Sequence, residues 1–115
     1  MKTKSKYHNT KTCVDGITFD SKLESKRYRE LKIMENQGII KDLVLQPSYE
    51  LIPKFIKENK TYRKTCYKAD FSYFDLKQGK TIVEDVKGVK TDVYMLKNKL
   101  FEYLYPALTI KEITK

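Results

Sequence analysis

The chain has no tryptophan, one histidine and two cysteines among its 115 residues. Cys13 and Cys66 fit neither a disulfide framework nor the paired spacings of a zinc site, which leaves reduced thiols in a cytosol as the plain reading. The single histidine, His8, sits in a polar tail with no neighbour in sequence to orient it. It reads first as an ordinary surface residue and only second as a ligand or proton shuttle. No apolar run approaches the roughly 20 residues that a membrane span needs, and the charged N-terminus is not followed by the apolar stretch of a secretory signal. A cytoplasmic protein is expected. Internal repeats, linkers and low-complexity segments are also missing, and the length suits one core, so residues 1–115 are expected to form a single domain.

What is abundant is positive charge. Twenty-four lysines and arginines face 15 acidic residues, a formal net charge of +9. An excess of this size favours polyanionic partners, nucleic acid first among them, because neutralised phosphates release condensed counterions. A solubilising lysine-rich surface is the competing explanation, so charge alone does not establish DNA binding. Residues 1–12 are lysine-rich and polar, a loose basic arm in which Lys6 and His8 can reach phosphates.

The stretch Tyr67–Gly88 carries the strongest pattern. Aromatic and β-branched residues crowd both sides of Gln78-Gly79, which predicts two antiparallel strands joined as a long hairpin. Charges interrupt them. Strand side chains alternate between faces, so Asp85 and Lys87 share one face and Val86 takes the other. Asp70, on the partner strand, falls beside them in a matching register. An ion inside an apolar strand costs several kcal/mol unless it is paired or binds a metal.

Elsewhere, Val14–Phe19 reads as a short strand or hairpin edge. Ser21 to about Gln37 is rich in helix formers and stops at Gly38, a natural left-handed cap. Ser21-Lys22-Leu23-Glu24 fits a capping box, which by itself accounts for Glu24. Tyr28 and Leu31, however, lie four and seven residues on, so Glu24 also stands on the stripe turned toward the core. Ile39–Pro53 predicts a strand made irregular by Pro47, with Gln46 either a polar group near the site or a partner for local backbone groups. Lys54–Lys64 predicts an exposed lysine-rich loop able to touch a phosphate backbone. Thr91 or Asp92 can cap a helix running to about Tyr105, with Val93, Leu96, Leu100, Tyr103 and Leu104 as a stripe that is mostly core. Lys90, just before that helix, and Lys97 and Lys99 on it are solvated by default and are candidates for phosphate contacts. Ala107–Ile113 closes the chain as a short strand.

The order is therefore helix, three strands, helix, strand. With Glu24 on the first helix, Ala69-Asp70-Phe71 on the second strand and Glu84-Asp85-Val86-Lys87-Gly88 on the third, the chain resembles the PD-(D/E)XK nuclease superfamily. Within it the nearest likeness is to phage-type Holliday-junction-resolvase-like endonucleases. That resemblance, spanning about Gly16 to Ile113, implies an α/β, restriction-endonuclease-like core of αβββαβ order around a central mixed sheet. It implies that Asp70 and Asp85 bind Mg2+, which Mn2+ can replace, that Glu24 completes or buttresses the metal site, and that Lys87 orients or helps to deprotonate the attacking water. Asp85 stands where glutamate is more frequent and Glu84 precedes it, so Glu84 is the rival ligand; the pleat favours Asp85. The implied activity is metal-dependent DNA hydrolysis, directed at branched or double-stranded DNA in recombination, by a homodimer if two strands are cut symmetrically. The alternative is a non-catalytic, basic nucleic-acid-binding protein in which the same charges form a structural cluster.

Overall fold

The computed structural model describes residues 11–87 and 89–114. Lys6 and His8 of the basic arm lie outside the described residues. Two short strands open the described chain, β1 (Thr12–Val14) and β2 (Ile17–Phe19), paired antiparallel so that Thr12 faces Phe19. Asp15 and Gly16 between them both have positive φ, the geometry of a tight hairpin turn for which Asp-Gly is well suited. The expected arm therefore ends before Thr12, which is already in a strand.

Helix α1 (Lys22–Asn36) begins where Ser21 accepts a hydrogen bond from the Glu24 amide at 3.1 Å. It ends in a Schellman motif, with Gly38 at φ 77° and the Gly38 and Ile39 amides donating to the Glu35 and Met34 carbonyls. Glu24, Ser25, Tyr28 and Leu31 form its buried face.

Strand β3 (Ile40–Leu45) gives way at Gln46-Pro47 to β4 (Ser48–Ile52), and β7 (Thr65–Lys68) gives way at Ala69-Asp70 to β8 (Phe71–Asp75). Because β3 pairs with β8 and β4 with β7, the two breaks lie opposite each other. Gln46, at φ 52°, donates its amide to the Asp70 carbonyl, and the Ala69 amide donates to the Pro47 carbonyl. One long antiparallel ladder is thus kinked into two sheets. The unbroken strand expected through Tyr67–Asp75 is corrected to two pieces, with Asp70 at the joint.

Between β4 and β7 the chain forms β5 (Phe55–Lys57) and β6 (Lys60–Tyr62). The loop expected at Lys54–Lys64 is a hairpin. Its turn is made by Glu58 and Asn59, both at positive φ, a conformation that Asn tolerates and Glu seldom adopts, so the segment reads as turn-like while the pairing of its flanks does not show.

Strand β9 (Lys80–Val86) pairs antiparallel with β8, helix α2 (Asp92–Leu104) follows a Thr91 cap, and β10 (Thr109–Ile113) returns parallel to β9. The main sheet has the order β10-β9-β8-β3. The architecture is mixed α/β, with a helix, three main-sheet strands, a helix and a strand in that sequence, and the kinked arm inserted after the first strand.

Two cores lie on the two faces of β8 and β9. Phe19, Tyr28, Leu31, Ile40, Phe71, Tyr73 and Ile82 fill the α1 side, and Leu51, Tyr67, Ala69, Val83, Tyr94 and Phe101 fill the α2 side. Of the apolar stripe expected to bury α2, only Leu100 packs against the core. Val93, Leu96, Tyr103 and Leu104 are exposed, and the helix turns Tyr94 and Phe101 inward. The cause is aromatic packing: Phe101 meets Tyr49, Tyr67 and Tyr105 at ring-centroid distances of 5.0, 5.3 and 5.0 Å. That cluster claims the rotation of the helix. Cys13 and Cys66 are free thiols.

On the α1 side Glu84 is fully buried and receives a bidentate hydrogen-bonded pair from Arg27, at 2.7 and 2.6 Å, together with the Tyr73 hydroxyl. Breaking one half of a buried pair leaves an uncompensated charge. Arg27→Met is expected to lower unfolding free energy in urea by roughly 3–5 kcal/mol, and adding Glu84→Gln to recover much of it. A single-variant loss below about 1 kcal/mol, the range of an exposed ion pair, would contradict this reading.

Candidate active site

The kink supplies one carboxylate, the pleat of β9 a second, and the first turn of α1 a third. Asp85 points to the α2 side of the sheet, where the Tyr67 hydroxyl donates to its Oδ2 and the Lys87 ammonium stands 3.1 Å from its Oδ1. Lys87 is therefore on the Asp85 face, as the two-residue period requires. Its Nζ also lies 4.0 Å from the centroid of the Tyr94 ring, a cation–π contact that fixes the ammonium. At the joint between β7 and β8, the Asp70 Oδ2 accepts the Val86 amide at 2.7 Å, and the Asp70 amide donates to the Glu84 carbonyl. The bent backbone turns this side chain across the end of β9.

Glu24 is 7% exposed, and among the described residues nothing hydrogen-bonds to its carboxylate. Its amide, not its side chain, serves the Ser21 cap, so only half of a capping box is formed. Burial, and then the neighbouring charges of Asp70, Asp20 and Asp85, push the Glu24 carboxyl up to about 7. Asp70 is pushed up to about 6, chiefly by burial, with the Val86 amide opposing and Asp85 adding to the rise. Three carboxylates from distant parts of the chain thus feel one another's charge at the place where Lys87 stands.

Residues 4–115 match the family described as Protein of unknown function (DUF1064). The chain belongs to that family. No curated protein and no solved structure matches it.

The other expected site residues fall differently. Glu84, the rival to Asp85, is on the opposite face and engaged by Arg27 and Tyr73. Gln46 contributes its backbone to the kink while its side chain is exposed. Lys90 pairs with Glu112 at 2.8 Å, Lys97 is half-buried and Lys99 is exposed on α2. Tyr67, Tyr94 and Arg27 were not legible as site residues. The only hint was a surplus of tyrosine, nine against five phenylalanines, which keeps hydroxyls available where charge is buried.

Among the described residues no three carboxylate, imidazole or thiol groups form a ready-made metal cage. The donor set in this DUF1064 chain nevertheless suits a hard divalent cation. It consists of carboxylates without thiol or imidazole, and burial first, then neighbouring carboxylates, disfavour the charged form of two of them, a cost that a bound cation would offset. A cleft between α1 and the end of β10 is lined by Leu23, Lys26, Arg27, Glu30, Ile113 and Thr114, and by none of the four. No helix among the described residues is long and apolar enough to cross a membrane.

A raised carboxyl pKa means that the native state keeps a proton after the unfolded chain has lost it. The associated stability is present below the unfolded value near 4.5 and is lost as pH rises through about 7. Glu24→Gln is therefore expected to match the wild type in melting temperature at pH 5 and to exceed it at pH 8, in buffer containing chelator. An equal difference at both pH values would show that the Glu24 carboxyl is not raised in the native state.

Proposed function

We propose that this protein is a Mg2+-dependent DNA endonuclease of the PD-(D/E)XK kind, built on a restriction-endonuclease-like core. The observation that carries the reading is the convergence of Glu24, Asp70, Asp85 and Lys87, drawn from α1, the β7–β8 joint and β9. The element order, with a parallel final strand after α2, supports the same reading.

Asp70 and Asp85, with Glu24 beside them, would hold the cation, with Mn2+ as a substitute. A bound Mg2+ screens the negative charge of a phosphodiester and makes water a better nucleophile. Lys87 supplies positive charge to a phosphate oxygen or orients the attacking water, and the Asp85 carboxylate and the Tyr94 ring hold it in place for that task. The net charge of +9 favours a polyanionic substrate. Branched DNA, such as a Holliday junction, is the substrate class we favour, cut in the cytoplasm (that of the host, for a phage protein) by a homodimer. The exposed Val93, Leu96 and Tyr103 face of α2 offers apolar surface for a second copy.

One observation favours a second reading. Asp70 and Asp85 already have internal partners in the Val86 amide, the Tyr67 hydroxyl and Lys87, as a purely structural cluster in a basic nucleic-acid-binding protein would.

Incubation with labelled branched and linear DNAs, with Mg2+ or with chelator, separates the two. Cleavage is expected only with Mg2+, and Asp70→Asn, Asp85→Asn and Lys87→Ala are each expected to reduce it by about 10²-fold or more while the fold persists. Cleavage that is indifferent to chelator and to these substitutions, or binding without any cleavage, overturns the nuclease reading.

A further inference from the structure

We propose that the β5–β6 hairpin is a grip for double-stranded DNA, in which Lys57 and Lys60 take backbone phosphates while the ribbon lies along a groove. This deepens the nuclease reading and rests on it for the identity of the polymer.

All six strand residues of the hairpin are exposed, so the hairpin contributes to neither core. Residues 53–64 hold five cations, Lys54, Lys57, Lys60, Arg63 and Lys64, against one carboxylate, Glu58. Among the described residues none of the five makes an ion pair. Lys57 is the direct cross-strand partner of Lys60. Like charges at directly opposed positions destabilise a ribbon, and the cost vanishes when an anion lies between them. A folded hairpin that keeps two lysines at directly opposed positions beside its turn is built for such an anion.

The same face explains why the anion belongs to a duplex. Phe55 and Tyr62, the next cross-strand pair on that face, stack on each other with ring centroids 4.6 Å apart and planes 9° apart, and the Lys60 ammonium stands 5.0 Å from the Tyr62 centroid. Rings occupied in this way stiffen the ribbon and leave little face for a base, unlike the open platforms that bind single strands. A two-stranded ribbon fits a major groove about 12 Å wide. Ile56, 69% exposed on the other face, is apolar surface that a groove would cover.

The test is binding without hydrolysis. Fluorescence anisotropy of a labelled duplex is measured in chelator over a series of salt concentrations, with wild type, Lys57→Glu and Lys57→Glu/Lys60→Glu. The double variant is expected to lose at least about tenfold in affinity, and each lysine to account for roughly one unit of the salt slope. Lys57→Glu places opposite charges across the ribbon, so its melting temperature is expected to stay level or rise while affinity falls, which separates a lost contact from a lost fold. Unchanged affinity and slope in the double variant, an equal loss on a single strand of the same sequence, or no duplex binding by wild type would overturn the grip. Arm-dependent binding by a protein that never cleaves would instead retire the nuclease reading and leave the grip standing.

Discussion

Two consecutive carboxylates on an interior strand impose the central constraint. Glu84 and Asp85 are 0% and 2% exposed and, being neighbours on β9, point to opposite faces of the sheet. Each needs its own compensation on its own side. On one side α1 supplies Arg27 and β8 supplies Tyr73; on the other, β7 supplies Tyr67 and the end of β9 supplies Lys87. The pair on the Glu84 side is closed, with both carboxylate oxygens held by one guanidinium. The cluster on the Asp85 side is not closed: an ammonium meets one oxygen, and Asp70 and Glu24 crowd in with further negative charge. That asymmetry separates a structural ion pair from a group of side chains able to take another cation.

The second organising feature is the kink that divides the long ladder. Had β3–β4 and β7–β8 run straight, Asp70 would have paired regularly beside Asp85 and its carboxylate would have followed the pleat. The left-handed Gln46 and the reciprocal bonds across Pro47 and Ala69 instead place Asp70 where its side chain accepts the Val86 amide. The same bend carries β4 and β7 away to form the α2-side core and leaves the β5–β6 hairpin standing clear. One backbone irregularity thus shapes both the carboxylate cluster and the cationic arm.

Much of this was legible in the chain because local signals and tertiary needs agree. Ser21 and Gly38 bound α1, Thr91 caps α2, and the period of two puts Asp85 with Lys87 whatever the neighbouring sheet does. The rest depended on contacts that no local pattern encodes. Val93, Leu96 and Tyr103 have the spacing of a core stripe, but aromatic packing around Phe101 fixes the rotation of α2 and leaves them outside. Lys54–Lys64 read as turn-like, but its short flanks lack an apolar alternation and its turn lacks glycine, so the β5–β6 pairing did not show. Arg27 looked like one more helix cation; only Glu84, 57 positions away in sequence, gives it a purpose.

The proposed activity requires Glu24, Asp70 and Asp85 to share one divalent cation. The most direct measurement is an anomalous difference map from a crystal grown with Mn2+. A peak bounded by Asp70 and Asp85, with Glu24 bound to the ion directly or through water, is the expected result. Manganese found only elsewhere, with Asp85 still held by Lys87 and Tyr67 alone, would contradict it.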